Sequence, residues 1–236
     1  YTLHNTKMNF DDRCGVCKDK AALLISMLRM AGMEAYPAMT MAGARIEPIP
    51  ADHFNHSVAV VKLENGTYMP LDPTWVPFTR ELWSSAEQQQ HYLPGIPEKS
   101  NLLLTPLSPP EDHYLKLNVN SSIDIKGTLK GTFTVEAEGQ TDRNVRNPFT
   151  LGFAADWQKA MESELMNISP NARLISVDWG KNPKNYTTGP IKITMKFEVP
   201  DYANVGKDVL VFKPVVFTNL YAGVRSFLRI DLKPER

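Results

Sequence analysis

Arg13-Cys14-Gly15-Val16-Cys17-Lys18-Asp19-Lys20-Ala21 runs straight into a segment, Ala21 to Ala31, that only Ser26 and Arg29 keep from being wholly apolar. A helix apolar nearly all round is a buried one, so this segment is expected to be a core helix opening at about Cys17. Gly32 follows as the residue that closes it. A cysteine at a helix N-terminus faces unpaired backbone N–H groups and the positive end of the helix dipole. Both favour the thiolate, which is the nucleophilic form.

Two further residues complete a reactive order. His56 lies in Phe54-Asn55-His56-Ser57-Val58 and Asp72 in Pro70-Leu71-Asp72-Pro73-Thr74-Trp75. Cysteine, then histidine, then aspartate is one chain order that builds a Cys-His-Asp triad. His56–Leu63 and Thr67–Leu71 read as two strands, and Glu64-Asn65-Gly66 between them is a hairpin signal. A two-residue Asn65-Gly66 turn would place Asp72 opposite Ala59, on the face away from His56. A three-residue loop with Gly66 left-handed would instead set Asp72 opposite Val58. That position is diagonal to His56 on the same face, at roughly 7–8 Å between Cα atoms. The triad therefore makes a claim about the turn: Gly66 carries a positive φ.

Other readings of the same residues stand beside this one. His56 is equally compatible with a strand histidine bound to a backbone carbonyl, and Asp72 with a turn-initiating residue before Pro73. His53, three residues earlier, competes with His56. His4, His91 and His113 fall in irregular or linker-like contexts and are expected to be solvated. Cys14-Gly15-Val16-Cys17 before a helix has the thioredoxin spacing, but the lead-in Asn9-Phe10-Asp11-Asp12-Arg13 is polar where a thioredoxin has an apolar strand. His53 and His56 have a zinc-ligand spacing without a second cysteine pair to complete the site. No metal and no cofactor is expected.

The 26 basic and 26 acidic residues of this 236-residue chain cancel, which gives no electrostatic reason to expect nucleic acid or an anionic membrane as partner. No apolar run approaches the roughly 20 residues that span a bilayer. Two cysteines three apart make no disulfide framework. The five Asn-x-Ser/Thr triplets, at Asn55, Asn65, Asn120, Asn167 and Asn185, carry little weight by themselves. A chain opening on Tyr1 reads as a mature product or a fragment.

Along the rest of the chain, Met33–Met41 reads as a short extended segment whose Pro37 argues for an edge or a strand end. Residues 42–55 read as a loop, 80–92 as helical, and Leu102–Leu104 as a short apolar segment. The best linker is residues 107–112, around Pro109-Pro110, which separates residues 1–106 from 113–236. Beyond it the period changes to two. Leu115, Leu117, Val119, Ile123 and Ile125, then Leu129, Phe133, Val135 and Ala137, lie at odd positions, and Ile191 to Val199 alternates cleanly. One helix, about Phe149 to Met166, is expected to interrupt these strands.

At Gly15-Val16-Cys17-Lys18-Asp19-Lys20-Ala21 the chain resembles the bacterial transglutaminase-like superfamily. One branch carries a Gly-Asp-Cys-Lys-Asp-Lys-Ala-type motif followed by a Leu-rich helix and a glycine, with Asp where this chain has Val16. Phe54-Asn55-His56 and Leu71-Asp72-Pro73-Thr74 are similar to that family's histidine and aspartate motifs. The resemblance covers about residues 1–100, and residues 113–236 look similar to a β-rich domain that often follows this core. It implies an α+β fold: a papain-like transglutaminase core, with the helix packed on an antiparallel sheet, plus a C-terminal antiparallel β-sandwich-like domain with one helix. It also implies thiol-dependent acyl transfer by Cys17, His56 and Asp72 on peptide or amide substrates, by hydrolysis as in a cysteine protease or by transglutaminase-like transfer. The alternative is a catalytically silent binding or scaffold module on the same core, and a lesser one a Cys-x-x-Cys redox protein. The expected partners are a peptide or protein substrate and an upstream N-terminal segment of a parent chain, since the family's first helices are not in this sequence. By resemblance alone, the expected location is periplasmic or extracellular in a bacterium.

Overall fold

Asn5 opens a helix that the polar lead-in to Cys14 conceals. Its side chain accepts from the Lys7 amide at 2.8 Å, and α1 runs Thr6–Asp12, ending at Arg13 with φ 50°. A computed structural model of the chain describes residues 4–42, 46, 53–75, 88–98 and 100–214. The chain divides into two units, residues 1–109 and 110–236.

In the first unit α2 spans Cys17–Met30. It stops as its glycine directs: Gly32 has φ +83°, and the amides of Gly32 and Met33 return to the carbonyls of Arg29 and Leu28, both at 3.0 Å. Those two bonds satisfy carbonyls that a helix end would otherwise leave unpaired. Five antiparallel strands form one sheet: β1 Ala35–Thr40, β2 His56–Lys62, β3 Tyr68–Leu71, β4 His91–Pro94 and β5 Leu103–Leu104, in the order β3-β2-β1-β4-β5. One face meets α2, with Ala35, Ala59 and Leu71 against Leu24, Ile25 and Leu28. The other collects Ala38, Val58, Val60 and Tyr92, with Tyr36, Tyr68 and Leu103 beside them. β2 is buried from His56 through Val61 because it has cover on both faces. The expectation of a helix buried all round needs correction, since Met27 and Met30 are exposed and α2 buries one face only.

Pro37 is not at an edge. β1 is the central strand, and Pro37 lies opposite Ala59 of β2. Its carbonyl accepts from the Gly95 amide at 2.7 Å, on the β4 side, so its ring nitrogen also points there, just past the end of β4 at Pro94. The missing N–H thus removes no bond from the ladder. Of the helix expected over 80–92, residues 80–87 lie outside the described residues, and His91 begins β4.

The second unit has a four-stranded antiparallel sheet: β6 Leu115–Ile123, β7 Leu129–Ala137, β8 Arg173–Asp178 and β9 Ile191–Val199, in the order β6-β7-β9-β8. The odd residues of β6, β7 and β9 share one face through the registers Phe133↔Met195 and Val119↔Phe133. That face packs against two helices, α3 Gly139–Leu151 and α4 Trp157–Leu165, through Val145, Phe149, Met161 and Leu165. The single helix expected over about 149–166 is therefore two. Pro148 closes α3 within a turn and Gly152 is extended, at φ −95° and ψ 166°. Phe149, Trp157 and Trp179 meet edge to face, with centroids 5.5–5.8 Å apart. Among the described residues this sheet is backed by helices rather than by a second sheet, and the remaining pair, β10 Asn204–Val205 with β11 Leu210–Val211, is a two-stranded ladder.

A buried ion pair organises the end of this unit. Arg146 and Asp142 are each 3% or less exposed; Nε of Arg146 donates to Asp142 at 2.7 Å, and its other nitrogens donate to the carbonyls of Pro183, Asn185 and Gly189. Asp142 also accepts from the Ile191 amide at 2.7 Å. Removing one partner strands the other's charge, so Arg146→Met is expected to cost about 3–5 kcal/mol, read as a lower urea midpoint for the second unit. In the first unit, Gly66 has φ +81° with nothing near enough to obstruct a side chain. Gly66→Ala is therefore expected to cost about 1–2 kcal/mol by backbone strain alone, and Gly66→Asn less. Equal losses for both would point to packing.

Candidate active site

The turn between β2 and β3 sets the site. Leu63 N–H donates to Thr67 O at 2.8 Å and Gly66 N–H to Leu63 O at 2.9 Å, which encloses a three-residue loop, Glu64-Asn65-Gly66. Asn65 Oδ1 stiffens it by accepting from the Thr67 amide at 3.0 Å and its hydroxyl at 2.7 Å. The ladder then pairs Lys62 with Tyr68 and Ala59 with Leu71. One step further along this register, Asp72 falls opposite Val58, so it shares a face with His56. The longer loop is the one formed, and with it the register that keeps His56 and Asp72 together.

The two side chains meet. His56 Nε2 donates to Asp72 Oδ2 at 2.9 Å, with His56 7% and Asp72 0% exposed. Asp72 Oδ1 accepts from the Thr74 amide at 2.9 Å, which anchors the carboxylate to the 3-10 turn Pro73–Trp75. Burial would raise the Asp72 pKa, but the bonds from His56 and Thr74 outweigh it and hold it below the ordinary carboxylate value. His53 does not share this carboxylate: its Nε2 is buried without a hydrogen-bond partner among the described residues.

Cys17 is the first residue of α2, half-buried and not in a disulfide, whereas Cys14 is exposed. One turn along, Lys20 Nζ donates to the Thr74 carbonyl at 3.1 Å. That bond sets the first turn of α2 beside the Asp72–Thr74 turn. The His56–Asp72 pair therefore adjoins the start of α2 at the strand ends, not across the helix-covered face of the sheet.

Asp19 is the residue whose role spacing concealed. It is 1% exposed and accepts from the Val16 amide at 3.2 Å, the His4 amide at 3.2 Å and His4 Nδ1 at 3.0 Å. Burial would raise its pKa; the His4 and Val16 bonds prevail and lower it. His4 is exposed as expected, its side chain 51% accessible, and it is also a partner of the α2 start through Asp19. His113 also has a job, accepting from the Gln140 amide at 3.1 Å at the start of α3, and His91 opens β4 half-buried. Tyr36 packs beside Tyr68 with ring centroids 6.3 Å apart. A cavity of about 550 Å³ beside the start of α2 is lined by Asn9, Arg13, Cys14, Asp19, Lys20 and Leu23, among others. Among the described residues, no three His, Cys, Asp or Glu side chains form a group suited to a metal ion.

A carboxyl whose pKa is lower in the folded state stabilises the fold above the unfolded value of about 4, and that contribution disappears as pH falls through the folded value. Asp19 and Asp72 both have lowered values, so the first unit is expected to lose stability as pH drops below about 4. Thermal melts from pH 6 to pH 3 should fall less steeply for Asp72→Asn than for the parent chain. Parallel curves would mean that Asp72 has no linked proton.

No curated protein and no solved structure matches the chain. A family model does: residues 4–73, which hold Cys17, His56 and Asp72, match the transglutaminase-like superfamily, a family consistent with thiol-dependent acyl transfer or hydrolysis in general.

Proposed function

We propose that the chain is a thiol acyltransferase or hydrolase in which Cys17, His56 and Asp72 act as a triad on a peptide or amide bond. The observation that carries this reading is the buried His56–Asp72 pair beside the first turn of the helix that Cys17 opens. With Nε2–H given to Asp72, Nδ1 is the basic nitrogen of the neutral imidazole. The thiol proton passes to Nδ1 as sulfur bonds to the substrate carbonyl carbon, and the carbonyl oxygen takes the negative charge. The Cys17 backbone N–H, in the first turn of α2 where amides lack intrahelical partners, serves as the donor to that oxyanion. The imidazolium then protonates the leaving amine, the C–N bond breaks and a thioester remains. Water or a second amine attacks it, His56 takes the proton, and the thiolate departs and recovers it. Asp72 fixes the imidazole's orientation and stabilises its charged form throughout. The second unit, residues 110–236, is read as an accessory domain that supports this core or binds a partner.

Accessibility makes the test a sharp one. Cys14 is the more exposed thiol, so alkylation governed by access alone would modify it first. With iodoacetamide at neutral pH, Cys17 is expected to react at least about tenfold faster than Cys14, and His56→Ala should abolish the difference. Slow labelling of both thiols would favour a silent scaffold. Loss of activity in Cys14→Ala, or a Cys14–Cys17 disulfide that cycles with a dithiol, would make the protein a redox enzyme. Cleavage of a peptide library, set against incorporation of a primary amine, separates hydrolysis from transfer.

A further inference from the structure

Two lysines, Lys18 and Lys20, stand in the first turn of α2, where the helix dipole disfavours positive charge. Helix stability therefore gives no reason for Lys20, and its partner does. Lys20 Nζ reaches the Thr74 carbonyl at 3.1 Å, 54 residues away in sequence. The Thr74 amide donates to Asp72 Oδ1 at 2.9 Å, and Asp72 Oδ2 accepts from His56 Nε2 at 2.9 Å. Lys20 thus joins the helix that begins at Cys17 to the turn that holds the His56–Asp72 pair, through one residue's carbonyl and amide. On its other side the same helix start is held by Asp19, which binds the Val16 and His4 amides and the His4 ring.

We infer that Lys20 is a positioning residue for the acyl-transfer reaction, setting the distance between Cys17 and His56 without touching the substrate. This rests on the triad reading above. Proton transfer between a thiol and an imidazole needs heavy atoms at hydrogen-bond distance. Here the two groups come from elements 39 residues apart, counted from Cys17 to His56. Packing alone leaves a helix free to slide by fractions of an ångström along a sheet. A fixed donor–acceptor contact one turn from the nucleophile removes that freedom, as supporting contacts must in a preorganised site.

A lysine at this place also acts on Cys17 as a plain charge, so the test separates the two roles. The other titratable and charged groups near it are Lys18 and Asp19 on the helix, Asp11 and Arg13 along the cavity that Lys20 lines, His4 against Asp19, and Asp72 with His56 beyond Thr74. The measurement is the pH profile of Cys17 alkylation by iodoacetamide in the full chain. It compares the parent, Lys20→Met, Lys20→Arg, His56→Ala and the double variant Lys20→Met/His56→Ala. Lys20→Met is expected to slow alkylation about tenfold at neutral pH and move the midpoint toward that of His56→Ala, with Lys20→Arg restoring most of the rate. In the His56→Ala background Lys20→Met should change nothing further. An equal effect of Lys20→Met in both backgrounds would show direct electrostatics and overturn the inference, as would a Lys20→Met profile identical to the parent's. If Lys20→Met does not fold, Lys20→Gln takes its place, with the same expectations. If instead His56→Ala leaves the parent profile unchanged, the triad itself is wrong, and that result is distinct from a failure of Lys20 alone.

Discussion

The hydrogen bond between His56 and Asp72 is what the first unit is built to make. Both groups are buried, so neither can replace the other with water, and an imidazole or carboxylate left alone there would be costly. The bond exists only in one register of β2 against β3. A slip of one residue turns every side chain of a strand to the opposite face. Three features hold the register: a left-handed Gly66, an Asn65 side chain that braces Thr67, and hydrophobic cover on both faces of β2. A short hairpin loop thus decides whether the chain has a His–Asp pair at all.

The start of α2 is the second fixed point, and its sequence defies ordinary helix rules for a reason. Val16 occupies the N-cap with no oxygen to offer. The usual reciprocal cap is reduced to one half, with Asp19 reaching back to the Val16 amide and borrowing His4 to complete its shell. Lys20 then faces outward to Thr74. Where local propensity and observed residue disagree, a tertiary role commonly supplies the difference. Here the disagreement falls within three residues of Cys17.

Strong periodicity and turn chemistry made much of this legible. The Gly32 stop, the β2–β3 strands with their loop, and the odd-numbered faces of β7 and β9 all follow from local pattern. Pairing His56 with Asp72 needed only the choice of loop length. What could not be read depends on contacts distant in sequence. Little local makes Asn9-Phe10-Asp11-Asp12 helical beyond the Asn5 cap and the i,i+4 pair of Lys7 with Asp11, and nothing joins His4 to Asp19 or Lys20 to Thr74 before the chain folds. Pro37 misled because its ring nitrogen points past the end of a neighbouring strand, a matter of sheet order rather than of the residue. In the second unit the expected helix from about Phe149 missed most of α3, which begins at Gly139, and ran through the Gly152 break into α4 because the residues on either side of that glycine are helix-compatible.

The second unit supplies the contrast that gives the His56–Asp72 pair its meaning. Arg146 and Asp142 are buried as deeply and bonded as closely, at 2.7 Å. Yet the guanidinium gives its donors to Asp142 and three backbone carbonyls, and a guanidinium holds its proton at any ordinary pH. Such a pair fastens a loop without exchanging a proton. An imidazole in the same role is different in kind, because it has two ring nitrogens, one bonded to the carboxylate and one for a second task. A buried carboxylate is therefore not by itself a sign of chemistry. The setting of Asp72 differs: its partner is an imidazole and a cysteine begins the neighbouring helix, at the ends of β2 and β3.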